Sequence, residues 1–229
     1  MIFYTGDTHG KIFKITNAIR NSVITVDDTI VILGDAGFNY YGNDLGDRRT
    51  KYKLNEVGIT VFCIHGNHEM RPETIPTYIT KIWNGGMVYY EEKYPNILFA
   101  KDGEIYDLDG RKSIVIGGAY SVDKFYRLRN GFHWFADEQP SEETKDHVEA
   151  VLESCNWKID QVLTHTCPLK YIPTEAFLPS IDQKTVDRST EEWLDTLEEK
   201  LTYKRWLCGH WHIDKRIDYF RFVMNDIIL

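Results

Sequence analysis

V-F-C-I-H-G-N-H-E, Val61 to Glu69, carries in nine residues the pattern that organises the whole chain. An apolar run stops abruptly, and a glycine, an amide and two imidazoles follow it. Short runs rich in β-branched and aromatic residues, bounded by turn formers, are strand signals. The absence of polar alternation in Val61-Phe62-Cys63-Ile64 predicts a strand buried on both faces.

The same arrangement recurs on either side. Ile2-Phe3-Tyr4 leads into T-G-D-T-H-G, and Ile30-Val31-Ile32-Leu33 into G-D-A-G. Further on, Val162-Leu163 leads into T-H-T, and Trp206-Leu207-Cys208 into G-H-W-H. Amphipathic stretches lie between the runs. Lys11–Arg20 spaces Ile12, Ile15 and Ile19 helically, Ser141–Ser154 aligns Val148, Val151 and Leu152, and Ser189–Leu201 aligns Trp193, Leu194, Leu197 and Leu201. The last opens with Ser189 and Glu192 at capping-box spacing. Two Asp-Gly steps within Asn96–Ala119 predict a meander of two hairpins. The fold expected is α/β, with mixed sheets in the centre and helices outside, as one domain over residues 1–229.

Bulk properties narrow the function. The chain has 229 residues, 42% hydrophobic, and a formal net charge of -8. An acidic surface repels a phosphate backbone, so tight binding to long nucleic acid is not expected. A small phosphorylated substrate stays open, because a bound metal's charge overrides the global field. Cys63, Cys155, Cys167 and Cys208 form no C-x-x-C pair and read as reduced core thiols. No signal peptide or membrane-length apolar run is present, which points to the cytoplasm.

In α/β sheets ligands gather beyond the carboxyl ends of the strands. Five apolar runs here deliver Asp7, His9, Asp35, Asn67, His68, His165, His210 and His212 to such ends. One Gly-Asp turn means little; five deliveries are hard to credit to chance. The set contains carboxylates, an amide and imidazoles but no sulfur, which suits manganese, iron or zinc rather than calcium. It exceeds what one ion needs, so two ions sharing a carboxylate are expected.

In order, G-D-T-H (6–9), G-D (34–35), G-N-H-E (66–69), His165 and G-H-W-H (209–212) resemble the calcineurin-like metallophosphoesterase superfamily. The segments W-N-G-G-M-V and G-G-A-Y-S-V-D-K are similar to small bacterial and phage members of it. The resemblance implies a four-layer αββα sandwich of two mixed sheets. It implies that Asp7, His9 and His212 hold one divalent ion, Asn67, His165 and His210 a second, and that Asp35 bridges them. Manganese is the first expectation for both ions, with iron and zinc as alternatives. A metal-bridging hydroxide would attack a phosphomonoester or a small nucleotide-type phosphodiester, with His68 as general acid or transition-state stabiliser. Residues two apart in an extended segment face the same way, which would let G-H-W-H reach both ions.

One departure stands out. Where phosphoprotein phosphatases of the superfamily read G-D-x-x-D-R-G, this chain reads G-D-A-G-F-N-Y, with Phe38 and Asn39 in place of the aspartate and the phosphate-binding arginine. Glu69 is then the candidate to orient His68, and Arg127, Arg71 and Lys124 are candidate phosphate contacts. Arg48 and Arg49 stand beside them as loop cations, and Phe125, Tyr126, Phe132, Trp134 and Phe135 as a wall for a base. Two other functions compete: a nuclease on single-stranded nucleic acid, which needs a basic groove, and a non-catalytic scaffold of the same fold, which degraded ligands would betray.

Overall fold

The computed structural model describes residues 1–42 and 45–229. Its elements in chain order are β1 (Ile2–Thr5), α1 (Phe13–Arg20), β2 (Thr29–Ile32), α2 (Leu45–Val57), β3 (Thr60–Cys63), β4 (Ile79–Trp83), β5 (Gly86–Glu91) and β6 (Tyr94–Ala100). There follow β7 (Ile105–Leu108), β8 (Arg111–Ile116), α3 (Lys124–Asn130), α4 (Glu142–Ser154), β9 (Gln161–Thr164), α5 (Ser189–Lys200), β10 (Arg205–Cys208), β11 (Lys215–Ile217) and β12 (Phe220–Phe222).

The strands form two mixed sheets of six, ordered β1-β2-β3-β6-β5-β4 and β11-β12-β10-β9-β8-β7. In the first, β1, β2, β3 and β6 run parallel; in the second, β8, β9, β10 and β12 do. The near-continuous apolar runs follow from a core on each face. Tyr4, Val31, Leu33, Phe62, Leu163 and Leu207 fill the space between the sheets. Their chain neighbours point the other way. Phe3, Ile30, Ile32, Val61 and Cys63 pack under Ile15 and Ala18 of α1 and Leu54 of α2. Val162, Trp206 and Cys208 pack under Val148 and Leu152 of α4 and Trp193, Leu194 and Leu197 of α5. Side chains alternate along a strand, so these strands can be apolar throughout only if both faces are covered. The architecture is the αββα sandwich.

Details differ from the sequence expectations. Asp109-Gly110 does turn a hairpin, β7 to β8, but Asp102-Gly103 does not, because β6 pairs with β5 and β3 in the other sheet. The chain crosses between sheets there. Besides β5–β6 and β11–β12, a further hairpin is β4–β5, turned at Asn84 and Gly85, both at positive φ (48° and 89°). That is the backbone a two-residue hairpin loop demands. Ser141 caps α4 by accepting from the Thr144 N–H at 3.2 Å. Ser189 does not cap α5: Arg188 occupies that position, and the Ser189 N–H instead donates to Asp187. Arg48 and Arg49 lie in helix α2, not in a loop. All four cysteines are free thiols. Among the described residues no helix is long and apolar enough to cross a membrane.

Leu163 is fully buried between the sheets. Leu163→Ala should destabilise the protein by about 2–5 kcal/mol through lost burial and a residual cavity, read as a lower urea midpoint with unchanged slope.

Candidate metal centre

The carboxyl ends of β1, β2 and β3 in one sheet and of β9 and β10 in the other meet at one edge of the sandwich. Two groups of ligand atoms converge there, Asp7 with His9 and His212, and Asp7 with Asp35 and His165, each within 4.8 Å of one another. His212 Nε2 lies 3.1 Å from Asp7 Oδ2 and 3.3 Å from His9 Nε2. Asn67 Oδ1 lies 2.8 Å from His165 Nε2 and 3.0 Å from His210 Nδ1. Asp35 stands between, 3.9 Å from His9 Nδ1 and 3.8 Å from His165 Nε2.

The donor chemistry of the second group fits a cation. His165 Nδ1 faces the Leu33 carbonyl at 2.8 Å, and a carbonyl only accepts, so the neutral ring carries its proton on Nδ1. Its Nε2 is then a bare lone pair, aimed at Asn67 Oδ1. Asn67 is oriented by its other end, where Nδ2 donates to Ser121 Oγ at 2.8 Å. Acceptors facing acceptors at this range repel unless positive charge sits among them. Outer hydrogen bonds that set tautomer and orientation in this way are characteristic of metal-ligating histidines.

The backbone is shaped for this convergence. His9, Asp35, His210 and His212 all have positive φ, 45°, 48°, 63° and 52°. Non-glycine residues held there cost roughly 1–3 kcal/mol each, and such strain gathers at functional sites. G-H-W-H is therefore not extended; left-handed kinks, not strand alternation, send His210 toward Asn67 and His212 toward Asp7. Two glycines permit the close approach. A Cβ on Gly34, itself at φ +96°, would fall 1.9 Å from His165 Nδ1, and one on Gly66 2.1 Å from Asp35 Oδ1.

Burial opposes charge on Asp7, yet the hydrogen bond from His212 and the charge that goes with it hold the carboxyl below its usual range. The same hydrogen bond raises His212. Burial lowers His210 to about 3. Burial and then the Arg127 guanidinium lower His68 to about 3.

His68 sits beside the cluster, its backbone N–H donating to Asp35 Oδ1 at 2.8 Å. Its Nε2 faces Asn67 Nδ2 at 3.2 Å and Arg127 Nη2 at 3.3 Å. Both are donors, so the neutral ring keeps its proton on Nδ1. Glu69 does not orient His68. Its carboxyl accepts from the backbone N–H groups of Gly66, Ala36 and Gly37, bracing two of the loops, and burial together with Asp35 pushes it up to about 8.

The three candidate phosphate contacts separate. Arg127 reaches the cluster from α3, its Nε held by both Asp123 oxygens at 2.8 Å. Arg71 is spent elsewhere: it pairs with Asp102 at 2.8 Å and donates to the carbonyls of Asp137 and Gln139. Lys124 lies over the Trp134 ring, 4.0 Å from its centroid. Phe38 is fully buried in the outer core, and the Asn39 amide oxygen accepts from Tyr78. Phe125, Tyr126 and Phe132 are exposed and border neither cavity that touches the cluster. Sequence reasoning missed Ser121, Asp123 and Tyr40. Only the run G-G-A-Y-S-V-D-K, which holds Ser121 and Asp123, carried any signal for them.

Ser121→Ala removes the anchor of the Asn67 amide. Manganese affinity at that half of the cluster should fall about 10–100-fold, the usual cost of losing an outer hydrogen bond. Calorimetric titration of the metal-free variant would check it, with an unchanged isotherm refuting the orienting role.

Comparison with known proteins places the chain. No curated protein matches its sequence. TT1561 of Thermus thermophilus superposes with a TM-score of 0.53 at 12% identity, covering 97% of this chain and 87% of that one. A second crystal structure superposes with a TM-score of 0.51 at 14% identity, covering 97% and 88%. At such identities the likeness shows the fold. The calcineurin-like phosphoesterase family matches residues 1–214, nearly the whole sandwich and every residue of the cluster. The chain belongs to the calcineurin-like phosphoesterase family.

Proposed function

We propose that this protein hydrolyses a small phosphoester at a pair of divalent ions, manganese foremost, with iron or zinc as alternatives. The convergence of seven donors from five strand ends supports the reading above all. Asp7, His9 and His212 would hold one ion and Asn67, His165 and His210 the other, with Asp35 shared. When bound, such ions supply charge to the phosphoryl oxygens and make water a nucleophile near neutral pH.

The chain's own residues complete the site. Arg127, splinted by Asp123, presents a fixed guanidinium beside His68 and supplies from α3 the cation that Asn39 does not. Planar guanidinium donors suit phosphoryl oxygens. His68, neutral with its proton on Nδ1, would serve as a hydrogen-bond donor to the charge that develops on oxygen; to act as general acid it would first need a second proton, which burial and Arg127 oppose. The substrate is a phosphomonoester or a small diester of nucleotide type, bound in the cytoplasm.

Metal-stripped protein reloaded with manganese should hydrolyse p-nitrophenyl phosphate or its bis-ester, with activity lost to chelator. Asp35→Asn should abolish turnover and weaken both ions while far-ultraviolet dichroism stays unchanged; near-normal turnover would overturn the two-ion reading. His68→Ala should lower kcat about 10²–10⁴-fold with two ions retained, and loss of an ion in that variant would make His68 a ligand instead.

A further inference from the structure

The ligand cluster stands between two recesses, and His68 borders both. One recess, about 260 Å³, has Asp35, Asn67, His210 and His212 on its inner side. Its outer side is apolar, formed by Ile172, Phe177, Leu178, Ile181, Val186 and Trp211. The other recess, about 510 Å³, is bordered by His9, Tyr40, Tyr41, Thr50 and Arg127. A phosphomonoester has one organic arm and needs one recess. A diester has two, and a phosphorus centred at the cluster would send one arm into each.

The apolar recess has features beyond greasiness. The Phe177 and Trp211 rings lie 6.2 Å apart, tilted by 34°. The Arg188 guanidinium carbon sits 5.6 Å from the Phe177 centroid, steadied by a 3.0 Å hydrogen bond to Gln183. Leu178, 55% exposed, adds apolar surface to the recess. Glu191 also borders the recess, almost fully buried. Its Oε1 accepts from Thr166 Oγ1, and its Oε2 has no partner among the described residues. A buried acceptor without a donor is costly, and pockets use such groups to fix orientation. Aromatic faces plus one unsatisfied acceptor fit a flat heterocycle that carries an N–H edge. A hydrocarbon chain would leave Glu191 unanswered.

We infer that the substrate is a phosphodiester with a nucleoside arm, its base packed against the Phe177 and Trp211 rings with its N–H edge toward Glu191, and its second arm in the Tyr40–Tyr41 recess. This rests on the hydrolase reading above and narrows it. Phe177, Trp211 and Glu191 are binding residues in this assignment, and Arg188 positions Phe177.

Two measurements on the full chain test it. In the manganese-loaded protein, kcat/KM should be at least tenfold higher for thymidine 5′-monophosphate p-nitrophenyl ester than for p-nitrophenyl phosphate. Phe177→Ala should cut that ratio about tenfold and Phe177→Tyr should restore it, in line with the loss of one stacking contact. In the metal-free protein, saturation-transfer NMR with guanosine should show transfer to the base proton, lost in Phe177→Ala and weakened in Glu191→Gln. Equal kcat/KM for the two esters, or no transfer to the base, overturns the inference and leaves the hydrolase reading standing. Transfer to the base with no ester hydrolysed under manganese, iron or zinc overturns the hydrolase reading and the diester with it, while the base recess survives.

Discussion

The hydrogen bond from His165 Nδ1 to the Leu33 carbonyl ties the two sheets together at their shared edge. It joins the end of β9 to the residue just past β2, so a side chain of one sheet is locked to the backbone of the other. Much of the site depends on it. The bond settles the proton on His165, turns Nε2 toward Asn67 and Asp35, and leaves space for nothing larger than glycine at position 34. Asp7 with His212 and Asn67 with His210 add further links between the two sheets at this edge.

That constraint explains where strain is stored. Parallel strands bring their carboxyl ends to one edge, but no strand aims its last side chain sideways into a common point. The chain achieves this by kinking immediately after the strands, and four candidate ligands take the left-handed backbone that residues with a Cβ avoid. The buried cores on both faces of each sheet hold these kinks in place. Glu69 reinforces them by gathering three backbone N–H groups from two loops, a supporting role that its position next to His68 did not suggest.

The loss of the aspartate and arginine from the second motif is met by a rearrangement in space. Phe38 and Asn39 turn inward and serve packing and the Tyr78 hydroxyl. A guanidinium returns from α3, far along the chain, through the Asp123–Arg127 pair, one helical turn apart and so on one face of the helix. A short helix with no buried residue of its own thereby faces the cluster and not the core.

The α/β sandwich of mixed sheets, and the residues that gather at one edge of it, were legible before any coordinates. Both are written in local pattern: unbroken apolar runs demand two covered faces, four of the five runs end in Gly with Asp, Asn or His, and the fifth ends in Thr164-His165. The β7–β8 hairpin was equally legible, because turn chemistry is local, whereas the capping-box spacing of Ser189 and Glu192 did not place the cap of α5. Choices between partners distant in sequence waited for the folded chain. Asp102-Gly103 has hairpin chemistry, yet β6 left for the other sheet because pairing with β3 and β5 continued that sheet. Arg71, Lys124 and Arg127 are alike as cations; Asp102, the Trp134 ring and Asp123 assigned them different tasks. Phe177, Trp211 and Glu191 come from separate stretches with no shared motif, and only the packing of those stretches around the cluster makes a recess of them. Local chemistry selects a backbone and a ligand type. Which side chain faces which is set by global packing, where long-range contacts compete for the same surface.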